Sequence, residues 1–316
     1  MTPLEMATQA LQLVAAVAAA PLFAGWISMC RAWLQNRSAP SLWLPYRSIR
    51  KLFHKDAVIA GNASPLFRLS PYVVFGTMVL AAAIIPSMST RLPFTVAADA
   101  IALVGLLATA RVFMSLAAMD VGTAFGSLGA RREMMVGFLA EPALLMVVFV
   151  ASLISATTAL PAITEDLATQ SLGIYPSLAF TAVAFTMVLL AENARIPIDN
   201  PATHLELTMI HEAMVLEYSA RHLALVEWAA SLKLFNYACI GFALFVPWGV
   251  STESGGPLSL LASIPVLAAK LALAGIGLAL IETVSAKLRV FRAPEFLTGA
   301  FLFAVLGLLV HLLLGA

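Results

Sequence analysis

Eight apolar runs constrain this chain more than any other feature. They fall at 4–29, 70–89, 96–118, 134–159, 172–192, 222–248, 259–286 and 295–315. Each approaches the ~20 residues that cross ~30 Å of hydrocarbon as a helix. Lipid offers no hydrogen-bond partners, so a spanning backbone is a helix or a closed barrel. The runs are too long and continuous for barrel strands, which alternate over ~10 residues. The expectation is one all-α integral membrane domain over residues 1–316, a polytopic protein with about eight transmembrane helices. The first run reads as a span rather than a cleaved signal. It is too long for a signal's apolar core, and its start carries Glu5 and no basic residue.

Basic residues gather on one side of these spans. One set of loops holds Arg31, Arg37, Arg47, Arg50, Lys51, Lys55, Arg68, Arg131, Arg132, Arg195, Arg221, Lys287, Arg289 and Arg292. The opposite set holds Arg91 beside Glu165, Asp166 and Glu253. The positive-inside rule makes the first set cytoplasmic and puts both termini on the other side of the membrane. In the first cytoplasmic loop Leu42, Tyr46, Ile49 and Phe53 recur at helical spacing, with Arg47, Arg50, Lys51, His54 and Lys55 on other faces. That pattern predicts an amphipathic helix on the cytoplasmic side, lying in the interface with its basic groups toward lipid phosphates or a protein partner.

Charge inside the spans needs a reason in a chain that is 61% hydrophobic and 11% charged. Asp99 and Arg111 fall in the third run, and Arg111 either faces a wet cavity or a partner such as Asp120 or Glu133, or extends its long side chain to the interface. Glu141 lies inside the fourth run, followed by Pro142, and reads as a lone buried carboxylate. Burial penalises such an anion, which suits a group that takes up and releases protons. Glu192, Glu227, Lys233, Lys270 and Glu282 complete an intramembrane ionisable set. The stretch from Glu192 to Trp228 adds Asp199, Glu206, Glu212 and Glu217, with His204, His211 and His222. It reads as a solvated cytoplasmic loop, or else as a proton path or a docking surface.

Several chemistries lack their residues. Cys30 and Cys239 are unclustered and supply neither a zinc nor an iron–sulfur site. The glycines Gly122, Gly126 and Gly129 lack the lysine of a phosphate-binding loop, and the segment reads as a flexible surface loop leading to a helix. His211 and Glu212 lack the second histidine of a zinc protease, because position 215 is Val215.

ENARIPIDNP, followed by a glutamate-rich loop ending in EYS and then VEW, resembles the respiratory complex I family typified by mitochondrial subunit 1. NRSAPSLWLPYRSIRKLFHKD and GSLGARREMMVGFLAEP resemble two further segments of that family. Glu141, Glu192, Glu206, Glu217 and Glu227 fall on its acidic positions. Arg195, Pro197 and Asp199 fall on its Asn-Arg-x-Pro-Phe-Asp segment, with Ile198 in place of Phe. Arg37, Arg131 and Arg132 fall on its basic cytoplasmic positions. The longer HLELTMIHEAMVLEYS loop and the final RVFRAPEFL are closer to the membrane-anchor subunits of group 4 membrane-bound nickel–iron hydrogenases, the formate hydrogenlyase and hydrogenase-4 kind.

The resemblance implies a non-catalytic subunit that docks a peripheral redox module and couples it to ion movement. Its proton path would comprise Glu141, Glu192, Glu206, Glu212, Glu217 and Glu227, supported by Asp199, Arg111, Arg195, Lys233, Lys270 and Glu282. Arg37, Arg50, Lys51, Arg131 and Arg132 would receive the peripheral arm. It implies no cofactor in this chain, with the nickel–iron centre and iron–sulfur clusters in partner subunits. Those partners would be the hydrogenase large and small subunits, a ferredoxin-like iron–sulfur subunit and antiporter-like membrane subunits. A quinone-chamber subunit of complex I and a purely structural dock are the alternatives. No internal repeat supports an independent transporter.

Overall fold

Eleven helices account for the regular structure among the described residues, and eight of them are long apolar rods. The structure, a computed structural model, describes residues 3–91, 93, 99–169, 176–195, 209–251, 257–285 and 292–314. The rods are α1 (Pro3–Leu34), α3 (Pro65–Ile84), α4 (Ala100–Asp120), α5 (Ala124–Ser155), α7 (Pro176–Glu192), α9 (Ala220–Phe245), α10 (Pro257–Val284) and α11 (Ala293–Leu314). Seven are long and apolar enough to cross a membrane, and α7 is a shorter apolar helix. Three small helices join them: α2 (Leu44–Phe53), α6 (Leu160–Thr169) and α8 (His211–Val215). The chain is a multi-pass, all-α membrane protein, as the apolar runs require.

Caps fix where the rods begin. Ser64 accepts a hydrogen bond from Leu66 N at 3.1 Å, with Pro65 at the first helical position of α3. Asp99 does the same for α4, accepting from Ile101 N at 3.0 Å. Asp99 is therefore an N-cap ahead of the span rather than a charge within it. The glycine segment also differs from its expectation as a loop. Helix α5 starts at Ala124 and contains Gly126 and Gly129. A Cβ at Gly126 would stand 2.5 Å from the Ala118 carbonyl oxygen, and one at Gly129 would stand 2.9 Å from that of Ile210. These glycines let neighbouring backbone lie against a helix.

The rods pack in a series. Helix α11 lies on α7 and α5, α5 on α4, α4 on α3, α3 on α9, α9 on α1, and α1 on α10. The amphipathic helix α2 rests on α9 and α1. It buries Ile49, stacks Phe53 edge-on against Trp228 at 6.4 Å, and donates the Tyr46 hydroxyl to the Ala18 carbonyl. Burial pushes the Tyr46 phenol up from its ordinary range. Arg47, Arg50 and Lys51 stay exposed on the other face. At the opposite end Gln12 holds the α3 exit, donating to Ile85 O at 2.8 Å and accepting from Met88 N at 3.3 Å.

Candidate functional site

The site grows from Arg111, a buried guanidinium about halfway along α4. A guanidinium presents donors along three edges of one plane. Here each edge meets a different carboxylate. Nε stands 3.5 Å from Glu133 Oε1, Nη1 pairs with Glu141, and Nη2 pairs with Glu192. Lys233 Nζ on α9 closes the group, 2.9 Å from the other Glu192 oxygen. Helices α4, α5, α7 and α9 are thus joined through one ionic cluster. Arg111 is held by partners within the bundle rather than extended to a membrane surface.

Spacing along α5 makes room for the guanidinium. Glu133, Gly137 and Glu141 are four residues apart and share one face. The missing side chain at Gly137 is where Arg111 lies, since a Cβ there would stand 2.6 Å from Nη1. Glu141 is therefore paired rather than lone, and its side chain keeps 35% exposure. Glu192 is the last residue of α7 and only 1% exposed. On α9, Tyr237 lies one turn beyond Lys233 and is fully buried, and its hydroxyl has no hydrogen-bond partner.

A cavity of about 110 Å³ adjoins the cluster. Its polar lining is Arg111, Glu133, Lys233 and His211, and its apolar lining includes Met78, Met114, Met214 and Val226. His211 opens the short helix α8, with Nε2 3.4 Å from Glu133 Oε2. Just beyond α8, Tyr218 stacks on Phe67 at 4.1 Å and donates to Phe67 O at 3.1 Å. Burial, helped by the nearby Asp120 carboxylate, pushes the Tyr218 phenol up and keeps it neutral.

The other expected site residues fall in separate places. Glu282 on α10 is buried and pairs with Arg195 at 3.0 Å and Arg31 at 3.4 Å. Lys270 donates to Val246 O at 2.5 Å, beside the C-terminal end of α9. Glu212 and Glu227 are exposed, within electrostatic reach of one another, and Glu217 is half-buried. Glu206 and Asp199, with His204 and Pro197, lie outside the described residues. Asp120, offered as an Arg111 partner, instead accepts from Ser64 N at 2.8 Å. Arg37, Arg50, Lys51 and Arg131 are exposed, and Arg132 donates to Met209 O at 2.9 Å. Glu133 was legible only as one possible partner for Arg111, His211 only as one histidine of the acidic stretch, and Tyr237 carried no signal of its own. The four-residue spacing of Glu133, Gly137 and Glu141 is the pattern that marks the site. Among the described residues no three His, Cys, Asp or Glu side chains are grouped to hold a metal.

A family model described as NADH dehydrogenase matches residues 7–313. Formate hydrogenlyase subunit 4 of Escherichia coli K12 is 33% identical over 301 residues, covering 94% of this chain and 95% of that protein. Hydrogenase-4 component C of the same organism is 35% identical over 234 residues, covering 74% and 73%. Among solved structures, a chain of an archaeal respiratory membrane complex, the membrane-bound sulfane sulfur reductase, superposes with a TM-score of 0.82. It covers 95% of this chain and 97% of its own length at 19% identity, a likeness of fold.

Proposed function

Since the chain belongs to the NADH dehydrogenase family, in company with formate hydrogenlyase subunit 4 and hydrogenase-4 component C, we propose that it is the membrane anchor of a nickel–iron hydrogenase complex. It docks the peripheral hydrogenase and iron–sulfur subunits at its basic cytoplasmic face and carries protons toward antiporter-like neighbours. The metal centres belong to those partners. The setting is a bacterial inner membrane, with the arginine-bearing loops inside.

One observation carries the proton-conducting part. Glu133, Glu141 and Glu192 gather around Arg111 and Lys233 inside the bundle. Intramembrane ionisable groups are costly and mark ion or proton pathways. Three carboxylates against two fixed cations leave one negative charge, and uptake of one proton balances it. Glu212, Glu217 and Glu227 extend the acidic series toward the cytoplasmic side, and Glu206 and Asp199 belong to the same series in the sequence. Lys270, Arg195 and Glu282 act as supporting charges away from the cluster.

The test replaces Glu192 or Glu141 with glutamine, which keeps shape and hydrogen bonding but cannot titrate. In proteoliposomes, Glu192→Gln and Glu141→Gln should assemble normally, retain electron transfer and lose the accompanying proton movement. The second reading is a structural dock, and it too has an observation in its favour: the ionic cluster around Arg111 and Lys233 ties four helices together. Unchanged proton coupling in both assembled variants would decide for that dock.

A further inference from the structure

We propose that Glu133 and His211 form the loading station of this path, where one proton is held beside the cavity before it passes to the Arg111 cluster. The inference rests on the proton-conducting reading above and adds to it two residues and a position.

Glu133 is the least compensated carboxylate of the cluster. Its nearest cluster cation, Arg111 Nε, stands 3.5 Å away, whereas Glu141 and Glu192 each take a closer guanidinium edge and Glu192 also takes Lys233. Glu133 is 3% exposed, and its Oε2 accepts no hydrogen bond. A buried carboxylate oxygen in that condition is costly to keep as an anion, and a proton relieves it. The imidazole 3.4 Å away is a source of that proton. Of the two, His211 is on the outer side, with a side chain 24% exposed against 3% for Glu133.

The groups facing Glu133 come from every side of the site. Arg111 reaches it from α4, His211 from α8, and Lys233 lines the same cavity from α9. Glu192 of α7 is linked through Arg111, and Glu141 lies two turns along α5. The Tyr237 hydroxyl, fully buried and without a partner, lies within electrostatic reach of all three carboxylates. The cavity of about 110 Å³ has room for water, since one molecule needs only ~10–15 Å³ by this measure and some polar partners.

The transfer balances without any other reactant. His211, charged as imidazolium, gives its Nε2 proton to Glu133 Oε2 and becomes neutral. Protonated Glu133 passes the proton on to the Glu192 or Glu141 carboxylate, which share Arg111 with it, and regains its negative charge. Arg111 and Lys233 keep their charges throughout. Bulk water then reprotonates His211.

The test is the pH profile of proton uptake by the complete complex in proteoliposomes, for the parent complex and for His211→Gln, Glu133→Gln and Glu133→Asp. In the parent complex, uptake should fall as pH rises through the range in which the His211 imidazolium loses its proton. His211→Gln should flatten this profile and cut uptake about tenfold on the acid side, a modest share of the ~10²–10⁴ that positioned proton transfer supplies. Glu133→Gln should slow uptake at least tenfold at every pH, and Glu133→Asp should restore part of the rate. A merely structural histidine would lower uptake equally at all pH values. A His211→Gln profile that keeps the parent slope overturns the proposal. If Glu133→Gln does not assemble, the His211→Gln profile alone decides. Should Glu192→Gln abolish uptake while both pair variants match the parent complex, the path stands and the loading station falls. Should Glu192→Gln itself change nothing, the path falls first.

Discussion

At the scale of single residues, Arg111 could not be a lysine. Three separate edges of one planar group engage three carboxylates, and an ammonium offers one point charge on a flexible stem. That plane needs space, and Gly137 supplies it. Helix propensity alone would favour alanine over glycine by ~1 kcal/mol. The geometry opposes it, because the added Cβ would lie 2.6 Å from Arg111 Nη1 and 2.8 Å from its Cδ. Overpacking of this kind costs about 1–3 kcal/mol, and here it also pushes a charge off its partners. Gly137→Ala should therefore lower the melting temperature of the purified complex. A rise, as at an ordinary exposed helix position, would show that the guanidinium does not occupy that gap.

At the scale of elements, α2 and α5 show what was legible and what was not. The spacing of Leu42, Tyr46, Ile49 and Phe53 marked α2 in the sequence because an interfacial helix must show one apolar face. The structure seats that face with Ile49 buried and Phe53 against Trp228. The apolar runs likewise marked the eight rods, since lipid imposes length and composition. Helix α5 began ten residues earlier than its apolar run, because Gly126 and Gly129 pack against backbone and side chains rather than against lipid. The short helices α6 and α8 lacked the length to signal themselves. Partner choice was hidden too: Arg111 offered Asp120 and Glu133 equally in sequence, and only packing sends Asp120 to Ser64. The exposed face of α2 carries a prediction. Reversing Arg50 and Lys51 to glutamate leaves Ile49 and Phe53 seated, so the anchor should still insert. The hydrogenase module should wash off the membrane, read as lost membrane-bound activity with soluble activity retained. Full membrane-bound activity would mean that α2 does not receive the peripheral arm.

At the scale of the whole molecule, the bundle divides its charges by depth. Exposed basic groups mark one surface, the Arg111 cluster lies within, and buried Glu282 with the more exposed Arg31 and Arg195 forms a second charged group. The orientation that follows can be measured. Cys30 and Cys239 are buried free thiols, which keeps background labelling low. A cysteine introduced at Asp166 should react with an impermeant maleimide from outside the cell, and one at Asp56 only after the membrane is opened. The reverse pattern would invert the assignment. The cluster also bears on how such a chain is made. The ribosome delivers α4 before any of its counterions, and an arginine at the centre of a lone helix costs roughly 2.5–3.5 kcal/mol on the insertion scale. Three residues separate α4 from α5, which brings Glu133 and Glu141 directly after Arg111. Those two helices are suited to leave the translocon as a hairpin in which Arg111 already has its counter-charges. Glu192 and Lys233 arrive later as a mutually compensating pair, so each half of the cluster reaches lipid with its own counter-charge in hand.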